Sequence, residues 1–356
     1  MSAGRRLARL GLLLLLLALT VTLWFVDRLQ RPPSRPGPPS QVDVYFPPGT
    51  STNAIFRRLS AEGVVGNARL AEIYYRVRHG ATPLQAGEYR FERPLAIDEV
   101  IRRMARGDVV QHTVVVPEGL TAPETFRLFL DQGIGTPEGF RAALSDTSLL
   151  PGLAAGAPDL EGFLFPETYR VTRSISARHV VERMLAQFRQ HFTPELWDRA
   201  RTLGLSPRQA VTLASIVEKE TALRREAPVV AGVYLNRLNR GMRLQADPTV
   251  QYALTRDGRW TGVLHRSDYT YESPYNTYLY EGLPPGPICN PGMAALTAAV
   301  TPQRTEFFYF VADASGGHTF SRTFEQHLQA IATNRRLREG TGAAAGPPET
   351  PSPSTN

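Results

Sequence analysis

The chain has 356 residues, 42% of them hydrophobic, enough to bury a substantial core and more than one folded unit. Its net charge of +7 and sequence pI near 9.7 suit an anionic partner such as a phospholipid surface or a wall polymer, while the lack of arginine clusters interleaved with aromatics speaks against nucleic acid. The single cysteine, Cys289, excludes an intramolecular disulfide and any cysteine metal cluster, so neither a metal nor another cofactor is expected.

The first element is apolar. Arg5, Arg6 and Arg9 precede an uncharged, largely aliphatic run over residues 10–26, closed by Asp27 and Arg28. At 1.5 Å per residue this run reaches about 26 Å, close to the thickness of a bilayer's hydrocarbon core. No small-x-small cleavage pattern follows, which predicts a retained transmembrane anchor in the cytoplasmic membrane over a cleaved signal peptide. The arginines before it and the terminal amine slightly outweigh Arg28, Arg31 and Arg35 after it. Residues 1–9 are therefore expected in the cytoplasm and everything beyond the anchor outside. Residues 27–41, with the run RPPSRPGPPSQ, form a proline-rich spacer.

Residues 42–46 alternate as a strand, 52–59 and 70–78 carry helical apolar spacing, 87–91 (GEYRF) return as a strand, and 96–104 read as a further helix. Together they predict a small βααβ unit over 42–110. It holds no acid pair and no histidine cluster, so binding or spacing is its expected role.

A larger mixed α+β unit is expected over 111–337, giving an α+β protein overall. It opens with a strand, HTVVV at 112–116, and passes through a helical region with turn breaks at 121–150. It then reaches LEGFLFPETY at 160–169, where Glu161 and Glu167 flank packed aromatics and serve either to fix the loop or to face a site. A strand at 169–171 and a long helix at 177–192 lead to the stretch VTLASIVEKET at 211–221.

That stretch reads as a helix, with Ser206 as N-cap and Pro207 at the first helical position. Glu218 and Glu220 lie about 200° apart around its axis and cannot share one cleft. Glu220 continues the apolar stripe of Leu213, Ile216 and Val217, whereas Glu218 follows the thinner face of Ala214 and Ser215. A carboxyl against aliphatic side chains keeps its proton toward neutrality, as a general acid must. The alternative is two solvated glutamates pairing with Lys219, Arg224 or Arg225. Lys219 is the only lysine in the chain.

Beyond it a helix at 228–238 ends on Asn236 and Arg237. RLQADPTVQY at 243–252 sets Gln245 and Asp247 before a proline-fixed turn, and SPYNTY at 273–278 carries Tyr275 and Asn276. GLPPGPICNPG at 282–292 is a loop. A strand at 307–312 (FFYFVA) turns at Gly316-Gly317 and returns through 318–320. Residues 338–356, rich in Gly, Ala, Pro, Ser and Thr, are expected to be disordered.

The ordered set EGFLFPETY, ASIVEKET, NRL, GMRLQADPTVQY, SPYNTY, GLPPGPICNPG and FVADASGGHTF resembles the endolytic murein transglycosylases of the YceG-like, or MltG, family, from residue 42 to about 335. The resemblance implies a single-pass membrane lyase that cuts peptidoglycan glycan strands, with a small LysM-like subdomain before the catalytic domain. It implies Glu220, the second acid of the EKE triplet, as the catalytic residue. Cytoplasmic-membrane lipid and the peptidoglycan synthases are the further partners it suggests. Cys289 departs from the small residue expected before Asn290-Pro291-Gly292.

Such a lyase breaks the MurNAc-β-1,4-GlcNAc bond without water, leaving a 1,6-anhydro end, and one carboxyl serves as acid and then base. Glu218, Asn236, Gln245, Asp247, Tyr275, Asn276 and Glu161 are the candidate substrate-binding groups around it. Phe163, Tyr275 and Tyr278 are candidates for stacking on pyranose rings. A glycoside hydrolase would instead need a second carboxylate facing Glu220, with Asp247 or Glu161 the best placed in sequence. A wall-binding protein without activity would give no reason for an acid on the apolar stripe. A peptidase has least support, because Ser215 lacks a GxSxG setting and His318 shows no paired acid in sequence.

Overall fold

The computed structural model describes residues 2–30, 40–80, 82–93 and 95–340, so most of the proline-rich spacer and the tail beyond 340 lie outside the described residues. The architecture is mixed α+β, with thirteen α-helices and three two-stranded sheets among the described residues, of which β1–β2 and β5–β6 are antiparallel. Helix α1 (Ser2–Gln30) contains the apolar run and continues four residues past it, into the stretch expected as spacer. Its aliphatic side chains from Leu10 to Leu23, and Trp24 after them, lie exposed. Among the described residues no helix is long and apolar enough to cross a membrane.

The chain divides into two compact units, 1–113 with 170–175, and 114–169 with 176–356. In the first, β1 (Ser40–Phe46), α2 (Thr52–Ala61), α3 (Ala68–His79), β2 (Gly87–Arg93) and α4 (Ile97–Arg106) follow one another. Ser51 and Asn67 cap α2 and α3 by accepting from backbone N–H groups. The β1–β2 register sets Val42 opposite Phe91 and Val44 opposite Tyr89. Period-2 alternation then sends Val44, Phe46, Tyr89 and Phe91 to one face, where Phe56, Leu59, Ile101 and Met104 complete a buried core. The expected βααβ order is present.

Strands β3 (Gln111–Val115) and β4 (Thr168–Thr172) form the second pair. Between them lie α5 (Ala122–Leu130) and α6 (Pro137–Ser145), which resolve the region of helix with turn breaks. After β4 come α7 (Ala177–His191), α8 (Pro194–Thr202), α9 (Pro207–Glu220), α10 (Ala227–Asn239), α11 (Asp247–Arg256) and α12 (Met293–Val300). The hairpin β5 (Tyr309–Ala312) and β6 (His318–Ser321) and the helix α13 (Phe324–Gly340) close the described chain.

Helix α9 is the axis of the second unit, and α8, α10, α11 and α12 all pack against it. Ser206 and Gln209 form a full capping box at its start, with Pro207 in the first turn. Every residue from Ala210 to Val217 is buried, so the helix has no thin face. The expected single stripe is corrected accordingly: α9 is buried all round over this stretch, Thr212 and Ser215 included, because neighbours surround it.

Three further expectations are corrected. The segment around Asp247 is not a turn but the start of α11, with Pro248 in its first turn, where the missing N–H costs nothing. The strand expected at 307–312 is ordered as a ladder only from Tyr309. Helix α13 runs to Gly340, three residues into the tail expected to be disordered. Helices α8, α12 and α13 have no counterpart among the expected elements; in α8 and α13 the apolar residues are too scattered to announce a face.

Candidate active site

Helix α9 ends on Glu220, and the next helix but for one short turn supplies its partner. Tyr234, from the middle of α10 and almost wholly buried, donates its O–H to Glu220 Oε1 at 2.7 Å. Glu220 itself keeps part of its surface exposed. Burial pushes its pKa up to about 7, and the nearby Asp247 carboxyl adds to the rise, while the Tyr234 hydrogen bond and the Arg237 charge oppose it. With Oε1 engaged as an acceptor, Oε2 is the oxygen that can carry the proton. A carboxyl that is half protonated at neutral pH and open on one side can donate and recover a proton in a single cycle.

Arg237, three residues after Tyr234, is buried and braces this corner. Its Nε donates to the Phe308 carbonyl at 2.7 Å and its Nη1 to the Leu244 carbonyl at 2.6 Å, joining α10 to the approach of β5 and to the loop before α11. Burial holds its guanidinium below the ordinary arginine range. Asn236 donates through Nδ2 to the carbonyls of Thr305 at 2.8 Å and Phe307 at 2.9 Å, fastening the same approach segment. Gly232 lets that segment close in, because a Cβ there would collide with the Gln303 carbonyl.

Asp247 opens α11 and is held by two phenols, Tyr278 at 2.6 Å to Oδ1 and Tyr269 at 3.4 Å to Oδ2. Burial raises its pKa, against those hydrogen bonds. Gln245 has φ 51°, the only positive φ at a non-glycine position among the described residues. This left-handed conformation costs roughly 1–2 kcal/mol and is retained because its N–H donates to the Thr277 carbonyl at 3.1 Å while Ala246 N–H donates to Thr277 Oγ1 at 3.0 Å. The corner that aims Asp247 is thereby fixed to the loop carrying Tyr278.

Other candidates sit apart from Glu220. Glu218 points to the opposite side of α9, where Oε2 accepts from Gly292 N–H at 3.0 Å at the start of α12; burial raises its pKa as well. The pairing alternative fails: neither Glu218 nor Glu220 forms an ion pair among the described residues, Arg224 pairs with Glu118 at 2.7 Å, and Lys219 donates to the Gly119 carbonyl at 3.3 Å. Glu161 is buried and spends both oxygens on Ala122 N–H, at 2.9 and 3.0 Å, at the start of α5. Burial pushes its pKa up to about 8. It caps a helix rather than facing a cleft. Tyr275 is buried against Tyr252 and accepts from Arg256 Nη1 at 3.2 Å, and Asn276 spends its amide on the Tyr269 and Tyr271 carbonyls and on Tyr278 N–H. Phe163 is fully buried. Stacking by Phe163 or Tyr275 is therefore excluded by burial, whereas Tyr278 stays partly exposed. His318, for which no acid was visible in sequence, does have one: its Nδ1 lies 2.7 Å from Glu226 Oε2.

Asn290 is the residue whose importance the sequence did not signal. Its Oδ1 accepts from Gly162 N–H and Leu164 N–H, both at 3.0 Å, and its Nδ2 donates to the Leu120 carbonyl at 3.0 Å. Three distant loops meet on one fully buried amide. Cys289 beside it is buried, donates to the Ser215 carbonyl at 3.3 Å, and has its thiol pKa pushed well up by burial, so it packs as a small residue would.

A cavity of about 640 Å³, lined by Arg208, Thr212, Ser273, Tyr280 and Pro285 among others, opens at the start of α9. Twelve residues of helix, roughly 18 Å, separate Arg208 from Glu220, so this cavity lies away from Glu220.

Known proteins share this arrangement of elements. The model of the YceG-like family matches residues 44–333. An endolytic murein transglycosylase of Bacillus subtilis (strain 168) is 29% identical over 305 residues, covering 81% of this chain and 83% of its own. One from Streptococcus pneumoniae serotype 2 is 27% identical over 325 residues, 82% of this chain but 58% of that longer protein. The crystal structure of a yceG-like protein from Listeria monocytogenes superposes with a TM-score of 0.56 at 28% identity, covering 81% of this chain and 98% of that one. With the family's model matched from the first strand of the small unit to the last helix, the chain belongs to the YceG-like family.

Proposed function

We propose that the protein is a membrane-anchored endolytic peptidoglycan transglycosylase, and the observation that carries this is Glu220, a partly exposed carboxyl with a pKa raised to about 7 at the end of a buried helix. The protonated carboxyl gives its proton to the glycosidic oxygen as the C1–O bond between MurNAc and GlcNAc breaks. The same group, now a carboxylate, takes the proton from the MurNAc 6-hydroxyl as that oxygen bonds to C1, and the 1,6-anhydro ring closes. Charge on the sugar in between is offset by Asp247, and Tyr234 steadies the carboxylate form of Glu220. Gln245, Tyr278 and the braced Asn236–Arg237 corner hold this geometry; Glu218, Glu161, Tyr275 and Asn276 act on the scaffold. The names of the relatives support the reaction.

Mass spectrometry of un-crosslinked glycan strands digested by the purified protein is expected to find 1,6-anhydro ends. Normal reducing ends would assign a hydrolase, with Asp247 as its second carboxylate.

The exposed aliphatic side chains of α1 from Leu10 to Trp24 support anchoring in the cytoplasmic membrane, since an exposed apolar surface of that kind marks a membrane or partner contact. The small βααβ unit acts as a LysM-like binder of the wall, and peptidoglycan synthases are the natural neighbours of an enzyme that ends nascent strands. Protease added to intact spheroplasts is expected to trim the protein to a short anchored stub. Protection of the residues beyond 40 would overturn the topology.

A further inference from the structure

One face of the β5–β6 hairpin reaches Tyr234, the donor to Glu220, and takes no part in the chemistry above. The register sets Phe310 opposite Phe320 and Ala312 opposite His318. Alternation puts these four side chains on one face and Tyr309 and Val311 on the other. Tyr309 packs on Phe324 and His327 of α13, which covers its side. The Phe310 side turns toward α10: the Phe310 ring stands edge-on to Tyr234 at 5.7 Å between centroids, and Tyr234 is the donor to Glu220. Phe310, His318 and Phe320 form one cluster with centroids 5.2, 6.1 and 6.2 Å apart; Phe307 stacks on Phe320 at 5.7 Å, the two phenylalanines of the cluster stay partly exposed, and the His318 side chain is 10% exposed.

His318 is held in place by more than packing. Glu226 Oε2 lies 2.7 Å from its Nδ1 and Glu226 Oε1 accepts from its backbone N–H at 3.3 Å. A carboxylate only accepts, so Nδ1 carries the proton and Nε2 is left as an acceptor in the neutral ring, with no hydrogen-bond partner among the described residues. The result is two aromatic rings and one oriented acceptor on a hairpin that touches Tyr234, the donor to Glu220.

We infer that this face is a glycan subsite: a pyranose ring packs its C–H face on Phe310 and Phe320, and a hydroxyl or acetamido N–H of the same sugar donates to His318 Nε2. The subsite rests on the transglycosylase assignment, because a strand cut in its interior must continue past Glu220 on both sides. Sugars suit it better than a protein partner does, because the aromatic surface is interrupted by an oriented polar atom and runs on to Tyr234, the donor to Glu220.

The test uses the full-length chain carrying Glu220→Gln, so that strands bind without being cut, and measures the dissociation constant for un-crosslinked glycan strands by calorimetry. Phe320→Leu, which leaves the Tyr234 contact intact, is expected to weaken binding by about two- to tenfold, the scale of one aromatic contact. His318→Gln is expected to weaken it similarly and serves alone if the leucine variant does not fold. In the protein with Glu220 restored, both changes should raise KM and leave kcat within about twofold, the pattern of lost substrate binding. Unchanged dissociation constants for both variants, or a fall in kcat at constant KM, would overturn the subsite. A wild-type protein that makes no anhydro ends would overturn the reaction instead, and is told apart by strand binding measured in the Glu220→Gln background.

Discussion

Glu220→Gln is expected to lower the rate of anhydro-product formation by about 10² to 10⁴, while the purified protein melts at or slightly above the wild-type temperature near pH 8. The rate falls because the amide keeps the shape and the Tyr234 contact yet has no proton to give. The stability change follows from linkage. The folded-state pKa of about 7 stands above the ordinary value of 4.5, so between those limits the folded protein binds the extra proton. Stability contributed by this group is full below about 4.5, declines as pH rises toward 7, and is lost above it. Gln removes that slope, and comparing melting curves at pH 5 and pH 8 for the two proteins measures it directly. Tyr234→Phe is the companion variant. It removes a hydrogen bond that lowers the pKa of Glu220, so the pH limb of the reaction should move upward with activity retained. A Glu220→Gln protein that cuts at nearly the wild-type rate would sink the assignment. If Glu218→Gln were then the dead variant, the acid would move to the opposite side of α9.

Asn290→Ala is expected to produce the largest loss of stability of any single change named here, about 3–5 kcal/mol, with the melting temperature falling by roughly 10 °C. The Gly162 and Leu164 N–H groups and the Leu120 carbonyl would be left without their side-chain partner inside the protein. The site is fully buried, and water has no ready path to replace the amide. Chemical denaturation of the variant checks the figure. A loss under about 1 kcal/mol would mean that the three loops hold together without this residue.

How far the sequence revealed these features depended on whether their causes were local. Ser206, Pro207 and Gln209 start α9 through contacts within four residues, and the cap was readable for that reason. Helical spacing singles out Glu220, but the structural cause of its raised pKa differs from the one the spacing suggests: α9 is enclosed by its neighbours, so that pKa reflects groups of α10 and α11 as much as a stripe. Tyr234, fourteen residues on, could not be identified, since only the crossing of α9 and α10 brings the phenol to the carboxyl. Glu161, Tyr275 and Asn276 look in sequence like site groups, polar residues in glycine- and proline-rich loops. In the fold Glu161 and Asn276 satisfy backbone groups and Tyr275 accepts from the Arg256 side chain, needs set by tertiary packing. The acid partner of His318 lies 92 residues before it, joined only when the hairpin docks.

Lys219 stands between the two glutamates, exposed, its ammonium resting on the Gly119 carbonyl. Every other basic side chain of the lysine–arginine class is arginine, whose guanidinium is inert to acylating reagents at neutral pH. An N-hydroxysuccinimide dye therefore finds only this amine and the chain terminus. With the terminus blocked, one fluorophore sits a single residue from Glu220, an optical reporter built into the natural sequence.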